Sequence, residues 1–584
     1  MENPPASSGM RHPRRLAWLA AGVSLALLLL AARLFHLQVV RAGELATRAV
    51  QQRTEALPLS FGRGLILDRN LRPLHAPLLS WRVLAFTPFV DDPLEAAGRV
   101  AGLAGLDRLE VYRALRDHDG FVLLSPPLEP SLAAVLVSGA AGARAGAGTE
   151  RAASGALPPG FVLVQYEDRY GPGAVAPHVV GYVRAADQVG VAGLEKAFDQ
   201  DLRGRQAATL LVRYDAYRRP LDGFRIVTAG DPAGGHDLIT TLDWVLQQRV
   251  EQVLARWDLT AAAVVVDART GALLAMASHP GFHPAHLKDY LDRSEDRPLV
   301  NRAVSAYPPG SVFKIVTAAA ALERGLLDDD RRFLCRGYVD VGDRRFPSRC
   351  PTGPGILITW EEAMAASTNE VFIQVGLELG ARPLLEAAAA FGFGRTTGLP
   401  LPEERAGHLP GAEDVRYAGD LANLAIGQGP LTVTPLQVAQ FLTALVNDGR
   451  MQPVSLVREV RRADGTLVRE FPRPEPQEVM TPATAAALRR ALRAVVREGT
   501  GTLAEVQVFG AAGKTGTAET GRDLPGGGGE AHAWFAGYVP ATLPRYVIVV
   551  LVERGQSGPR VAAPLFRAVA EAVLGHHPMS SGIP

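Results

Sequence analysis

The sequence predicts a multidomain α+β protein carried on one membrane helix. Three features point there: a length of 584 residues, an uncharged apolar run from Leu16 to Ala32, and short β-rich runs interleaved with helical stretches through the rest of the chain. At roughly 100 to 200 residues per domain, this length makes several domains, each able to bury its own core. Composition removes other classes. With 47% apolar and 21% charged residues the bulk should fold. The near balance of 61 basic against 60 acidic residues leaves no field for a nucleic-acid partner.

Arg11, Arg14 and Arg15 precede the apolar run and Arg33 closes it. Seventeen residues is the short end of a membrane span, and Leu34, Phe35 and Leu37 lengthen it if Arg33 snorkels. A cleaved signal peptide fits less well, because Arg33 stands where the second small residue of a cleavage site is needed. Residues 16–34 are therefore expected to be an anchor, 1–15 a short cytoplasmic tail, and the later domains extracytoplasmic. Residues 35–235 hold β-like runs such as Trp81–Phe89 and Phe161–Tyr166 but no catalytic constellation, and 138–159, nearly all Ala, Gly, Arg and Ser, reads as a flexible insertion. A second domain is expected over 236–576, with a tail at 577–584. It opens with a strand at Leu238–Leu242 and an amphipathic helix at Trp244–Trp257, followed by β-runs at Ala261–Asp267 and Ala272–Ala277. The apolar run Arg545–Glu553 predicts a strand buried on both faces.

Only four of the 61 basic residues are lysine: Lys196, Lys288, Lys314 and Lys514. Arginine supplies surface charge here, but only lysine has an amine that a protein can deprotonate, so each survivor poses a chemical question. Lys314 follows Ser311 by three residues, after Tyr307-Pro308-Pro309-Gly310 and ahead of the apolar run Ile315–Leu322. On a helix starting there, the amine reaches the hydroxyl. Burial lowers an amine's pKa, and an adjacent neutral amine is the base a serine nucleophile needs. A second element, Ser367-Thr368-Asn369, lies between helical stretches Trp360–Ala366 and Glu370–Gly380; taken alone these are ordinary cap residues. The third, Lys514-Thr515-Gly516-Thr517, follows Val506–Phe509 on an expected strand. It is not a phosphate loop, since Val508 stands where that loop needs glycine. Nor is Ser311 in a hydrolase elbow, since Pro309 and Phe313 flank it. Cys335 and Cys350, the only cysteines, admit a disulfide, two free thiols, or a zinc pair with Asp340 or Asp343.

Ser-x-x-Lys, Ser-x-Asn and Lys-Thr-Gly in this order, at spacings of about 55 and 145 residues, resemble the active-site set of the penicillin-recognising serine enzymes. With Arg63–Asn70, Gly193–Lys196, Thr241–Asp243, Asn301–Ala303, Ile426–Gly429, Thr434–Gln437 and His532–Phe535, the chain is similar to class B penicillin-binding proteins from the anchor to about residue 570. Tyr307–Ser311, Phe391–Gly394 and Ile426–Gly429 look more like the elongation-type than the division-type subgroup. Leu71 departs from the family pattern, as do the 138–159 insertion and the Gly526–Gly529 loop.

The resemblance implies a transpeptidase fold, a five-stranded antiparallel sheet with helices on both faces, beside an elongated N-terminal pedestal. It implies a D,D-transpeptidase that crosslinks peptidoglycan stem peptides and is acylated by β-lactams. Ser311 would be the nucleophile and Lys314 its base, with Ser367 relaying a proton, Asn369 holding the donor peptide and Lys514 supplying positive charge. Thr515, Gly516 and Thr517 would bind the substrate carboxylate. No metal or cofactor is expected. A membrane glycosyltransferase of the shape, elongation, division and sporulation family is the implied partner, and the inner membrane the implied location. A division-type enzyme and a non-catalytic scaffold are the alternatives. Because both cysteines fall in the extracytoplasmic domain, a Cys335–Cys350 disulfide is expected.

Overall fold

The computed structural model describes residues 12–60, 62–138, 157–184, 187–204, 208–228, 234–293, 295–523 and 529–576. Nearly all of the expected insertion at 138–159, the Gly526–Gly528 part of its idiosyncratic loop and the tail at 577–584 lie outside them. A helix spans His12–Phe35, and the stretch Leu16–Val40 is long and apolar enough to cross a membrane, with none of it buried in the protein.

The chain forms two compact units. The smaller combines residues 1–60, 79–167 and 206–231. Within it, strands Thr54–Ser60, Ala208–Tyr214 and Pro220–Thr228 make one antiparallel sheet. A second sheet, centred on Leu78–Phe86, buries Val83, Ala85, Phe161 and Leu163 against helices Pro93–Ala104 and Arg108–Asp117. The division differs from the boundary expected at 235, because residues 61–78 and 168–205 fold with the larger unit. Ile66–Leu67 pairs in parallel with Leu238–Ile239, and the buried Glu195 carboxylate is shared by Arg63 and Arg169. A carboxylate at zero exposure needs such partners, so the motif Arg63–Asn70 is tied to Gly193–Lys196 rather than to its sequence neighbours.

The larger unit is built on strands β1 (Ala261–Asp267), β2 (Leu273–His279), β3 (Ala512–Asp523), β4 (Gly529–Val539) and β5 (Tyr546–Val552), antiparallel throughout in the order β2-β1-β5-β4-β3. β5 is buried at every position, as its unbroken apolar run predicts. On one face, Val264, Val266, Val547, Val549 and Leu551 pack with the helices Lys314–Glu323, Pro435–Val446 and Pro482–Arg497. On the other, Ala261, Ala263, Val265, Ile548 and Val550 meet Trp244–Trp257 and Ala563–His576. β3 is the sheet edge, free on one side to face a ligand. Val506–Phe509 is not a strand: Val508 takes φ 74° and Gly510 φ 65°, which turns the chain before β3 begins.

Between the Ser311 and Ser367 elements the chain forms a hairpin, Tyr338–Val341 with Arg344–Pro347, and the Cys335 and Cys350 sulfurs are joined across its base, Cα atoms 5.9 Å apart. Closing a loop of 15 residues restricts the unfolded chain by about 3 kcal/mol. Cys335→Ser and Cys350→Ser, singly and together, should each lower unfolding stability by roughly that amount in denaturant titration. A non-reducing peptide map of the native protein should contain the linked pair; two alkylatable thiols would contradict it.

Candidate active site

Ser311 lies on a 3₁₀ turn, Gly310–Phe313, that leads into the helix Lys314–Glu323. The sequence predicts an α-helix from Ser311, and the tighter turn has a consequence: in a 3₁₀ helix, side chains three residues apart eclipse one another, so Ser311 and Lys314 fall on one face. Lys314 is fully buried, as are the helix residues Ile315–Ala321 after it. Among the described residues the half-buried Ser311 hydroxyl has no hydrogen-bond partner.

Ser367 caps the helix Trp360–Ala366 in the left-handed region at φ 60°, and Asn369 starts the next helix, Asn369–Leu379. That strained turn aims the Ser367 hydroxyl and the Asn369 amide at one point. The Lys314 amine donates to the Ser367 carbonyl and to Asn369 Oδ1, both at 2.7 Å, and lies 3.4 Å from Ser367 Oγ. From the other side, the Lys514 amine on β3 donates to Ser367 Oγ at 2.8 Å. One serine hydroxyl thus sits between two buried amines. Burial drives both pKa values down: Lys514 to about 7, with the Arg349 charge adding to the effect, and Lys314 well below its ordinary value, with Lys514 adding. The two short bonds of Lys314 satisfy both N–H groups of a neutral amine and leave its lone pair for a proton.

Thr515 is buried, its hydroxyl 2.7 Å from that of Thr500, while the exposed Thr517 accepts from the Gly558 N–H at 3.2 Å. The Ser311 turn lies hard against this strand. Gly310 has φ 54°, and a Cβ there would stand 2.6 Å from the Thr517 carbonyl; one on Gly516 would stand 2.9 Å from Val312 Cγ2. The Asn369 amide donates to the Pro347 carbonyl at 3.0 Å and the Glu370 N–H to Ser348 Oγ at 3.0 Å, so the disulfide-closed hairpin supports the second element. The Cys335 and Cys350 sulfurs lie close to the Glu370 carboxylate but are spent on each other.

The structure brings Lys314, Ser367, Asn369 and Lys514 into one hydrogen-bonded cluster and places Thr515, Gly516 and Thr517 beside the Ser311 turn on β3. Thr500, Arg349 and Pro347 were not visible as site residues in the sequence. They carry no motif: Thr500 and Arg349 stand in loops and Pro347 ends a hairpin strand, each distant in sequence from the group it acts on.

Residues 261–571 match the family model for the penicillin-binding protein transpeptidase domain. The chain belongs to that family. The transpeptidase is 30% identical to the peptidoglycan D,D-transpeptidase MrdA of Escherichia coli K12, over 73% of this chain and 71% of the relative. Among solved structures it resembles penicillin-binding protein 3 of Mycobacterium tuberculosis complexed with aztreonam, at 27% identity and TM-score 0.62, covering 90% of this chain and 97% of the other. It also resembles a chain from a study of structural coordination of polymerization and crosslinking by a peptidoglycan synthase complex, at 28% identity and TM-score 0.67, covering 96% and 98%. The transpeptidase is a class B penicillin-binding protein, and its five-stranded sheet is the one expected from the motifs.

The Gly310 contact yields a test. Gly310→Ala forces an L-residue into the left-handed region at a cost of about 1–2 kcal/mol, read as a lowered melting temperature. It should also displace Ser311 from β3 and slow penicillin acylation by roughly a hundredfold. Unchanged acylation would show that the close approach does not set the nucleophile's position.

Proposed function

We propose that the protein is a membrane-anchored serine D,D-transpeptidase that crosslinks peptidoglycan stem peptides through an acyl-enzyme on Ser311 and is acylated there by β-lactams. The observation that carries this reading is the Ser367 hydroxyl held between the Lys314 and Lys514 amines beside the Ser311 turn. Lys314 takes the proton of Ser311 as its oxygen attacks the carbonyl of the penultimate D-Ala. The leaving D-Ala nitrogen takes that proton from Lys314 through Ser367, beside the positive charge of Lys514. Thr515 and Thr517 hold the terminal carboxylate, and the Ser311 and Thr517 N–H groups stabilise the oxyanion, each by about 3–4 kcal/mol. An amine of a second stem peptide then forms the crosslink.

The apolar Leu16–Val40 helix supports an anchor in the inner membrane with the transpeptidase domain outside the cytoplasm. The likeness to a chain of a peptidoglycan synthase complex supports pairing with a glycan-polymerising partner of the shape, elongation, division and sporulation family. The Tyr307–Ser311, Phe391–Gly394 and Ile426–Gly429 runs favour the elongation-type role over division.

Labelling with fluorescent penicillin tests the reading: a stable band lost in Ser311→Ala supports it, a band that persists in Ser311→Ala moves the nucleophile elsewhere, and no band favours a scaffold. The lysine pair adds a pH signature. Two adjacent amines titrate in two macroscopic steps, and acylation needs the singly protonated state, with Lys314 neutral and Lys514 charged. The acylation rate of the free protein should rise with pH as the first proton leaves, then fall above about 7 as Lys514 loses the last. Lys514→Arg keeps its charge and should lose the falling limb while remaining active. Lys314→Arg cannot accept a proton and should lose acylation by about a thousandfold or more. Equal rates for the two arginine variants would mean that the Ser311 proton goes elsewhere.

A further inference from the structure

Three sequence runs outside the catalytic cluster, Asn301–Ala303, Tyr307–Pro309 and His532–Phe535, come together just ahead of Ser311. The Tyr307 ring stands edge-on to His532 and Trp534, with centroids 5.3 and 6.4 Å away. Its backbone exchanges both N–H···O bonds with Val433 at 2.8 Å. Its phenol donates to Glu553 Oε1 at 2.6 Å, where β5 has just ended.

The Glu553 carboxylate is fixed from behind. Its backbone N–H donates to the Thr260 carbonyl at 2.8 Å, and Arg302 Nε stands 3.2 Å from the same Oε1 that Tyr307 uses. The Arg302 guanidinium is fully buried and also donates to the carbonyls of Asp296 and Arg297, at 2.7 and 3.3 Å. Burial and the Glu553 charge push the Tyr307 phenol far up, so it stays a hydrogen-bond donor. Between Tyr307 and Gly310 lie Pro308 and Pro309, whose rings lock φ and make the link stiff. Gly310 in turn abuts the Thr517 carbonyl on β3. A cleft of about 330 Å3 opens on Tyr307, Pro308 and Glu553, so packing is open on that side and directional bonds must fix the segment.

We propose that Glu553 is a positioning residue for acylation: through the Tyr307 hydroxyl it holds the Pro308-Pro309 link, and with it the Ser311 oxygen, at attacking distance. The inference rests on the acyl-enzyme reading above. Glu553 touches neither substrate nor reacting atom and moves no proton. It acts by stopping the nucleophile's turn from sliding along β3, where a displacement of about 1 Å costs roughly a hundredfold in rate. Arg302 holds the carboxylate, the carboxylate holds the phenol, and the two prolines carry that constraint to Ser311.

The test follows the full chain in detergent as it reacts with fluorescent penicillin. The concentration dependence of the rate separates the affinity of the first complex from the limiting acylation constant, and the labelled fraction counts the folded protein. Tyr307→Phe removes only the hydroxyl and should lower the limiting constant by roughly tenfold with the affinity unchanged. Glu553→Ala should lower it at least as much, and the double substitution should be no slower than Glu553→Ala alone, because both changes remove one bond. If Glu553→Ala does not fold, Tyr307→Phe decides by itself. An unchanged limiting constant in Tyr307→Phe, even with less labelled protein, makes the bond merely structural and overturns the proposal. Losses that multiply in the double substitution overturn it too, and both results leave the acyl-enzyme reading intact. No adduct on Ser311 of the unsubstituted protein overturns the transpeptidase reading and this inference with it.

Discussion

Two lysine amines buried on either side of one serine hydroxyl are the constraint on which the site depends. An ammonium out of water is costly, and two beside each other more so, so the arrangement favours a state in which one amine is neutral. The fold must therefore deliver Lys314, Ser367 and Lys514 together and keep water away. It does so with three rigid pieces: a helix buried from Lys314 to Ala321, a left-handed turn between two helices, and the edge strand of a sheet whose central strand is buried at every position. The Lys314 and Lys514 side chains are at zero exposure, which lets an effect of burial dominate their titration.

Proximity is set by backbone rather than by side chains. Gly310 and Gly516 have no room for a Cβ where the nucleophile's turn meets β3, and the Trp534 indole N–H donates to the Pro308 carbonyl at 3.0 Å from the neighbouring strand. The second element is held from outside by the hairpin that the disulfide closes, through the Pro347 carbonyl and the Ser348 hydroxyl. Nucleophile, relay and charge are each fixed by a different part of the chain, which allows their geometry to be held without a ligand.

Much of this was legible in the amino-acid order because the chemistry is local in its signals. The lysine scarcity isolated Lys314 and Lys514, and the helices Trp244–Trp257 and Trp360–Ala366 fall where periodicity and caps put them. Non-local pairing was not legible. Nothing near Arg63 announces that it shares Glu195 with Arg169, nor that residues 61–78 and 168–205 fold with the larger unit. Thr500 and Arg349 are ordinary loop residues until the fold sets one against Thr515 and brings the charge of the other to bear on Lys514. Val506–Phe509 has strand composition, but its left-handed turn is a backbone property that valine does not advertise.

The central claim is that folding depresses the protonation of both amines, and a chain with only four lysines allows it to be observed directly. With lysine labelled by 13C at Cε, four side-chain signals are followed against pH in detergent, and Lys314→Arg and Lys514→Arg assign two of them. The account predicts that the Lys514 signal titrates near pH 7 and the Lys314 signal well below the range of a solvated amine. If both signals stay in the ammonium position up to about pH 10, where a solvated lysine still holds much of its charge, the account is contradicted.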